Sequence, residues 1–202
     1  MMRGEHIMST QQKARTAYII DNSTLSLFEK ISLAVLGSVF LVLSAKMMVP
    51  FWPVPMTFQS LAVIMIGVVL GPRLGLAAVM AYLAEGFVGL NVYADTVSYP
   101  GLSVLTRPSA GFLMSFPITA FVAGMLAKQG WTDSWLKSLG LFAISYVIMY
   151  TIGMAWFANF FGMEIAFQNM WLWVPGELAK IGLGITSIQA FNSYRNRGTK
   201  CD

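Results

Sequence analysis

The stretch WLWVPGELAKIGLGITSI, Trp171 to Ile188, decides how this chain is read. It is apolar enough for a membrane span, yet Pro175-Gly176-Glu177-Leu178-Ala179-Lys180 sets a carboxylate and an ammonium inside it. Positions three apart share one face of a helix, so Glu177 and Lys180 project together. Each charge at mid-bilayer costs about 2.5 to 3.5 kcal/mol on insertion scales. Charges kept at that cost point either to a polar ligand site between helices or to an ion pair that stitches two helices together.

Composition outside that stretch says the same about the solvent. Of 202 residues, 56% are hydrophobic and 11% charged, and the mean hydropathy is +0.65. Those values belong to an integral membrane protein. Apolar runs without period-two alternation exclude a β-barrel, and in lipid the remaining way to satisfy the backbone is the helix. The expectation is therefore an all-α fold with six transmembrane helices, at about Ile31 to Val49, Thr57 to Leu70, Arg73 to Leu90, Gly111 to Lys128, Trp135 to Phe161 and Trp171 to Ile188. Residues 1–30 read as a polar cytoplasmic tail without the apolar core of a signal peptide, 31–192 as the membrane domain, and 193–202 as a basic cytoplasmic tail.

The basic residues orient the spans. With the N-terminus in the cytoplasm, Arg3, Lys13, Arg15, Lys30, Arg73, Lys128, Lys137, Arg195, Arg197 and Lys200 all fall on the inner side. Lys46, Arg107 and Lys180 fall in the outer half, where a ligand is the expected reason for holding them. The formal charge of +4 is a topology signal, and without a basic patch interleaved with aromatics nucleic acid is excluded as a partner.

Two outer connections carry further candidates. Met48 to Met56 holds three prolines and Trp52, a stiff crossing that can cover a cavity or anchor at the headgroups. Asn91 to Ala110 is a long loop with Tyr93, Asp95, Tyr99 and Arg107, and loops of that length usually carry function. The chemistry is bounded by what is missing. No Gly-x-x-x-x-Gly-Lys-Ser/Thr run exists to cradle ATP, the one histidine is His6 in the tail, and the one cysteine is Cys201. Neither a metal site nor an enzyme is expected. Ala34 and Ser38, like Gly67, Gly71 and Gly75, follow small-xxx-small spacing that lets helices approach.

Five motifs in order carry a family resemblance: Val54-Pro55-Met56-Thr57-Phe58-Gln59, Leu70-Gly71-Pro72-Arg73-Leu74-Gly75, Gly86-Phe87-Val88-Gly89-Leu90, Pro108-Ser109-Ala110-Gly111-Phe112-Leu113 and Pro175 to Lys180. Over roughly Ile31 to Ile188 the chain resembles the BioY family, the biotin-specific substrate-binding components of energy-coupling-factor transporters. The resemblance implies a six-helix protein of the bacterial plasma membrane, with both termini cytoplasmic, that captures biotin from outside. It implies a transmembrane coupling protein and two cytoplasmic ATPases as partners, ATP being used only by them and no cofactor by this chain. It places Glu177 and Lys180 in the ligand site and gives Ala34 and Ser38 a role in meeting the coupling protein.

Biotin needs acceptors for its ureido N–H groups, a donor for its carbonyl, apolar walls and a cation for its carboxylate. Glu177, Lys180, Arg107, Asp95, Tyr93, Phe112, Gln59 and Trp52 are the residues expected to supply them. Several differ from the usual family pattern: Glu177 replaces an aspartate, Arg107 and Phe112 stand in a motif usually reading Gly-Pro-Thr-Gly-Gly-Tyr, and Glu85 occupies a usually apolar position. A related vitamin or a biotin precursor is the alternative cargo, favoured if Glu85 and Arg107 both line the cavity. A non-transporting interaction protein is the alternative of another class.

Overall fold

The computed structural model describes residues 25–49, 55–94 and 101–198. Within them the fold is helical, with one two-stranded ribbon. Helix α1 runs Leu27–Lys46, followed by strands β1 (Met48–Val49) and β2 (Met56–Thr57), helix α2 (Gln59–Phe87), a short 3-10 turn (Gly101–Thr106), and helices α3 (Ala110–Lys128), α4 (Trp135–Phe161) and α5 (Met163–Gly198). Of the expected site residues, Trp52 and Asp95 lie outside the described residues, as do residues 1–24 of the first tail and 199–202 of the second, whose 193–198 continue the last helix.

Helix α1 starts on a capping box. Ser26 Oγ accepts from the Glu29 N–H at 3.2 Å, and Glu29 Oε2 accepts from the Ser26 N–H at 2.7 Å. Two of the orphan donors at the helix start are thereby satisfied. The start lies four residues before the expected Ile31, and the C-terminal end gives way at Met47 to β1, which pairs antiparallel with β2 in the register Met48↔Thr57 and Val49↔Met56.

Helix α2 is two arms, 59–70 and 72–87, joined at Gly71. That residue has φ 76°, a left-handed conformation that a side chain strains, and Pro72 then opens the second arm where its missing N–H costs nothing. The chain folds back on itself there: a Cβ on Gly75 would lie 3.0 Å from the Gly67 Cα, although eight residues separate them. Helix α3 joins the same contact, since a Cβ on Gly124 would lie 2.7 Å from the Gly67 carbonyl oxygen. The small-residue spacing of Gly67 and Gly75 thus serves packing within the chain. Helices α1, α3 and α4 are each long and apolar enough to cross a bilayer, whereas the arms of α2 do so only partly, at about 18 and 24 Å for a rise of 1.5 Å per residue. Counting the arms separately gives six helices, as the sequence predicts.

Helix α4 begins and ends where expected, but α5 starts eight residues before Trp171 and extends past Ile188. Its opening turns pack Ala166 and Trp173 on Phe157 of α4, while Ile165, Phe167 and Trp171 point outward. Two larger apolar clusters complete the core. One joins α1, both arms of α2 and α3 around Leu41, Leu74, Ala78, Val79 and Phe116; the other joins the first arm of α2 to α3, α4 and α5 around Leu61, Ile64, Phe142 and Ile185. The apolar helices and their outward-facing Leu36, Phe40, Val147 and Leu183 suit a lipid surround.

Candidate functional site

The ribbon, residues 88–94 and 101–109 and the α4–α5 junction gather at one end of the bundle, and beneath them is a cavity of about 90 Å³. Its walls come from five places in the chain. The ribbon and the start of α2 give Met56, Thr57, Gln59 and Ser60; the following loop gives Tyr93, Ala94 and Arg107; α3 gives Phe112 and Phe116; α4 gives Met149 and Tyr150; α5 gives Trp173 and Glu177.

The polar wall is built around Glu177. Its Oε1 accepts from Lys180 Nζ at 2.8 Å and its Oε2 accepts from Ser60 Oγ at 2.9 Å. Lys180 Nζ also donates to the Thr57 carbonyl at 2.6 Å and to Ser60 Oγ at 3.1 Å, so all three ammonium protons have acceptors inside the protein. Lys180 is 5% exposed and sits behind Glu177, not in the cavity wall. The expected i, i+3 pairing on one face is realised. A carboxylate oxygen has two lone pairs, so beyond Lys180 and Ser60 each oxygen of Glu177 can accept one more bond, at positions that the phenols of Tyr146 and Tyr150 also approach and that a ligand donor would share with them.

The apolar wall is aromatic. Phe112 meets Tyr150 and Trp173 edge to face, with centroids 5.6 and 6.0 Å apart. Such geometry sets the positive ring edge against the negative face and adds about 0.5 to 1.5 kcal/mol per pair beyond area burial. A side chain on Gly153 of α4 would strike the Phe112 ring, so that glycine makes room for the phenyl group.

Gln59 is turned away from free rotation by donating Nε2–H to Tyr82 Oη at 2.6 Å. Tyr93 is buried, its phenol donating to the Leu83 carbonyl at 2.9 Å, and its ring fills the space that a side chain on Gly86 would need. Burial pushes that phenol up to about 12, so it remains a neutral donor at physiological pH. Arg107 lines the cavity at 8% exposure; its backbone is fixed by donating to the Val104 carbonyl at 3.2 Å and accepting from Trp156 Nε1 at 3.0 Å.

The three basic residues expected to be held by a ligand thus divide. Arg107 faces the cavity, Lys180 is held by Glu177, Thr57 and Ser60, and Lys46 Nζ donates to Asn91 Oδ1 at 2.9 Å and to the Tyr93 carbonyl at 2.7 Å. The acceptors that hold both lysines belong to the protein. Ser38 is fully buried and donates to Glu85 Oε2 at 2.6 Å, and half-buried Ala34 packs on the main core, so both small residues of α1 contact this chain's own helices. Glu85 is not part of the cavity wall. Ser60, Tyr146, Tyr150 and Trp173 are the site residues that sequence reading overlooks. Trp173 stands four before Glu177 and Tyr150 four after Tyr146, spacings that put each pair on one face.

With this architecture the comparisons with known proteins agree. The pattern of the BioY family matches residues 12–197, nearly the whole chain. The chain belongs to the BioY family. A protein of Pyrococcus horikoshii named a probable biotin transporter BioY is 32% identical over 139 residues, 69% of this chain and 80% of that one. The biotin transporter BioY of Rhizobium etli is 34% identical over 64% of this chain and 73% of its own length. Among solved structures, the S-component for biotin from an ECF-type ABC transporter superposes with a TM-score of 0.71 over 84% of this chain and 95% of that chain, at 21% identity, and so shares the fold. Membership in BioY makes the chain a membrane transport protein and not an enzyme.

Proposed function

We propose that this BioY chain is the biotin-capturing component of a vitamin uptake transporter of the bacterial plasma membrane. The observation that carries this reading is the cavity wall, in which the Glu177 carboxylate and the guanidinium-bearing Arg107 border one apolar, aromatic-lined space. Glu177 accepts from ureido N–H groups, Phe112, Tyr150 and Trp173 pack the fused rings and chain, and Arg107 pairs with the carboxylate. Lys180 gives its three donors to Glu177, Thr57 and Ser60 behind the wall, whereas Arg107, with five guanidinium donors, is the cation that lines the cavity and takes the carboxylate.

The cavity opens to the outer side when the termini are cytoplasmic, the orientation favoured by Lys30, Arg73, Lys128 and Lys137 at the opposite end of the bundle. Release inward then draws on energy from outside this chain, whose sequence carries no Gly-x-x-x-x-Gly-Lys-Ser/Thr run to cradle ATP, and a transmembrane coupling protein with two ATPases provides it. Another vitamin as cargo loses its main support, since Glu85 lies outside the wall.

Equilibrium binding of biotin to the detergent-purified protein, beside Glu177→Gln, tests the reading. Binding by the parent that the variant loses supports it. A folded parent that ignores biotin sinks it and returns related vitamins and precursors to the front.

A further inference from the structure

We propose that Ser60 is a positioning residue of the cargo site, its hydroxyl fixing the direction in which Glu177 presents its carboxylate. Ser60 comes from the start of α2, Tyr146 from α4, and Glu177 and Lys180 from α5. The Ser60 hydroxyl donates to Glu177 Oε2 at 2.9 Å and accepts from Lys180 Nζ at 3.1 Å and from Tyr146 Oη at 3.4 Å. One donor and two lone pairs are all that a hydroxyl has, and all three are used. Ser60 is 9% exposed. It therefore has nothing left to offer a ligand and acts on cargo through the carboxylate it holds.

A glutamate needs this more than a shorter acid does. Its carboxylate swings about three side-chain torsions, and the last is a broad, roughly two-fold well that packing alone sets poorly. Lys180, on the same helix, fixes one oxygen; Ser60, reaching across from another helix, fixes the other. Two anchors on different elements define the carboxylate plane, so that its remaining lone pairs, which the Tyr146 and Tyr150 phenols also approach, keep fixed directions at the cavity wall. Ser60 accordingly shapes specificity for a planar N–H donor and leaves apolar recognition to the aromatic wall.

The inference rests on the biotin reading for its ligand alone. The test is a double-mutant cycle for biotin binding with Ser60→Ala, Glu177→Gln and the combination, with Ser60→Thr as the hydroxyl-retaining variant. Ser60→Ala is expected to weaken binding about tenfold or more, the loss of one charge-assisted hydrogen bond, and to weaken it no further once Glu177→Gln is in place. Ser60→Thr restores binding. Full additivity in the double variant, or parental affinity in Ser60→Ala, overturns the proposal. Isotope-edited infrared difference spectra of ligand-free protein decide the matter should the parent not bind biotin. A Glu177 carboxylate band displaced by Ser60→Ala and kept by Ser60→Thr then supports the positioning role, and an unmoved band overturns it.

Discussion

Glu177 and Glu85 are both carboxylates set in apolar helices, and the protein treats them differently. Glu177 is neutralised by Lys180, tied to Ser60 and borders a cavity. Glu85 is bonded to the buried Ser38 hydroxyl at 2.6 Å, has no cation in salt-bridge range among the described residues and is not in the wall of that cavity. The first arrangement joins the start of α2 to α4 and α5 and sets the carboxylate in the cavity wall; the second joins α1 to the second arm of α2. An intramembrane acid is thus a pointer to function only when its spare valence has somewhere to go. Where a lone hydroxyl absorbs it between packed helices, it is a fastening.

The largest expected effect comes from breaking the first arrangement at its cation. Lys180→Ala leaves Glu177 buried without its counter-charge and strips a donor from the Thr57 carbonyl. Removing one partner of a buried pair costs about 3 to 5 kcal/mol, which for a chain of this size lowers the unfolding midpoint by about 6 °C or more. Thermal unfolding in detergent reads the stability, and biotin binding falls with it. An unchanged midpoint means that the pair is solvated and the contrast with Glu85 is overstated.

Arg107→Ala is next, and it separates the two ends of the cargo. Loss of a charge-assisted contact worth about 1.5 to 3 kcal/mol raises the Kd for biotin by about ten- to a hundredfold. Biotin amide, which has no carboxylate, is bound equally by parent and variant. Equal weakening for both compounds assigns Arg107 to the wall's shape instead of its charge.

Lys46 offers an intermediate case, a polar fastening that supports the cavity from outside. Its bonds to Asn91 and the Tyr93 carbonyl tie the end of α1 to the turn from which Tyr93 and Ala94 enter the wall. Lys46→Met is expected to speed amide exchange over 91–94 and to weaken binding by about tenfold or less, the worth of exposed charged hydrogen bonds. Unchanged exchange in that turn shows that the buried Tyr93 ring holds it unaided.

How much of this is legible beforehand depends on how local the determining contact is. Helix α4 is found to the residue because Trp135 to Phe161 is unbroken and apolar, and Ser134 caps it by accepting from the Lys137 N–H. Glu177 with Lys180 is found because the partners stand three apart on one helix. The start of α5 is not, because Glu164, Gln168 and Asn169 dilute the hydropathy that Ala166 and Trp173 convert into packing. Ser60 reaches Glu177 across 117 residues and Tyr146 across 86, so neither contact leaves a periodic trace. The inward direction of Ser38 is hidden for the same reason, since small-xxx-small spacing marks close approach without naming the neighbour.

The smallest expected effect is at Glu85, and it bears hardest on the contrast. Glu85→Gln keeps a carbonyl oxygen where Ser38 Oγ now donates, so the bond between α1 and α2 becomes neutral without being lost. Charged acceptors make the stronger bond, and the difference puts the loss of stability at about 1 kcal/mol, with biotin affinity within about twofold of the parent. Ser38→Ala leaves the carboxylate with no described hydroxyl between two apolar helices and is expected to cost more than Glu85→Gln, because an unmade bond to a charge is dearer than a weakened one. That ordering, read by thermal unfolding, is what a fastening requires. Loss of biotin binding in Glu85→Gln with stability intact reverses the assignment, for a side chain outside the cavity can then reach the cargo only through a rearrangement of α1 against the second arm of α2.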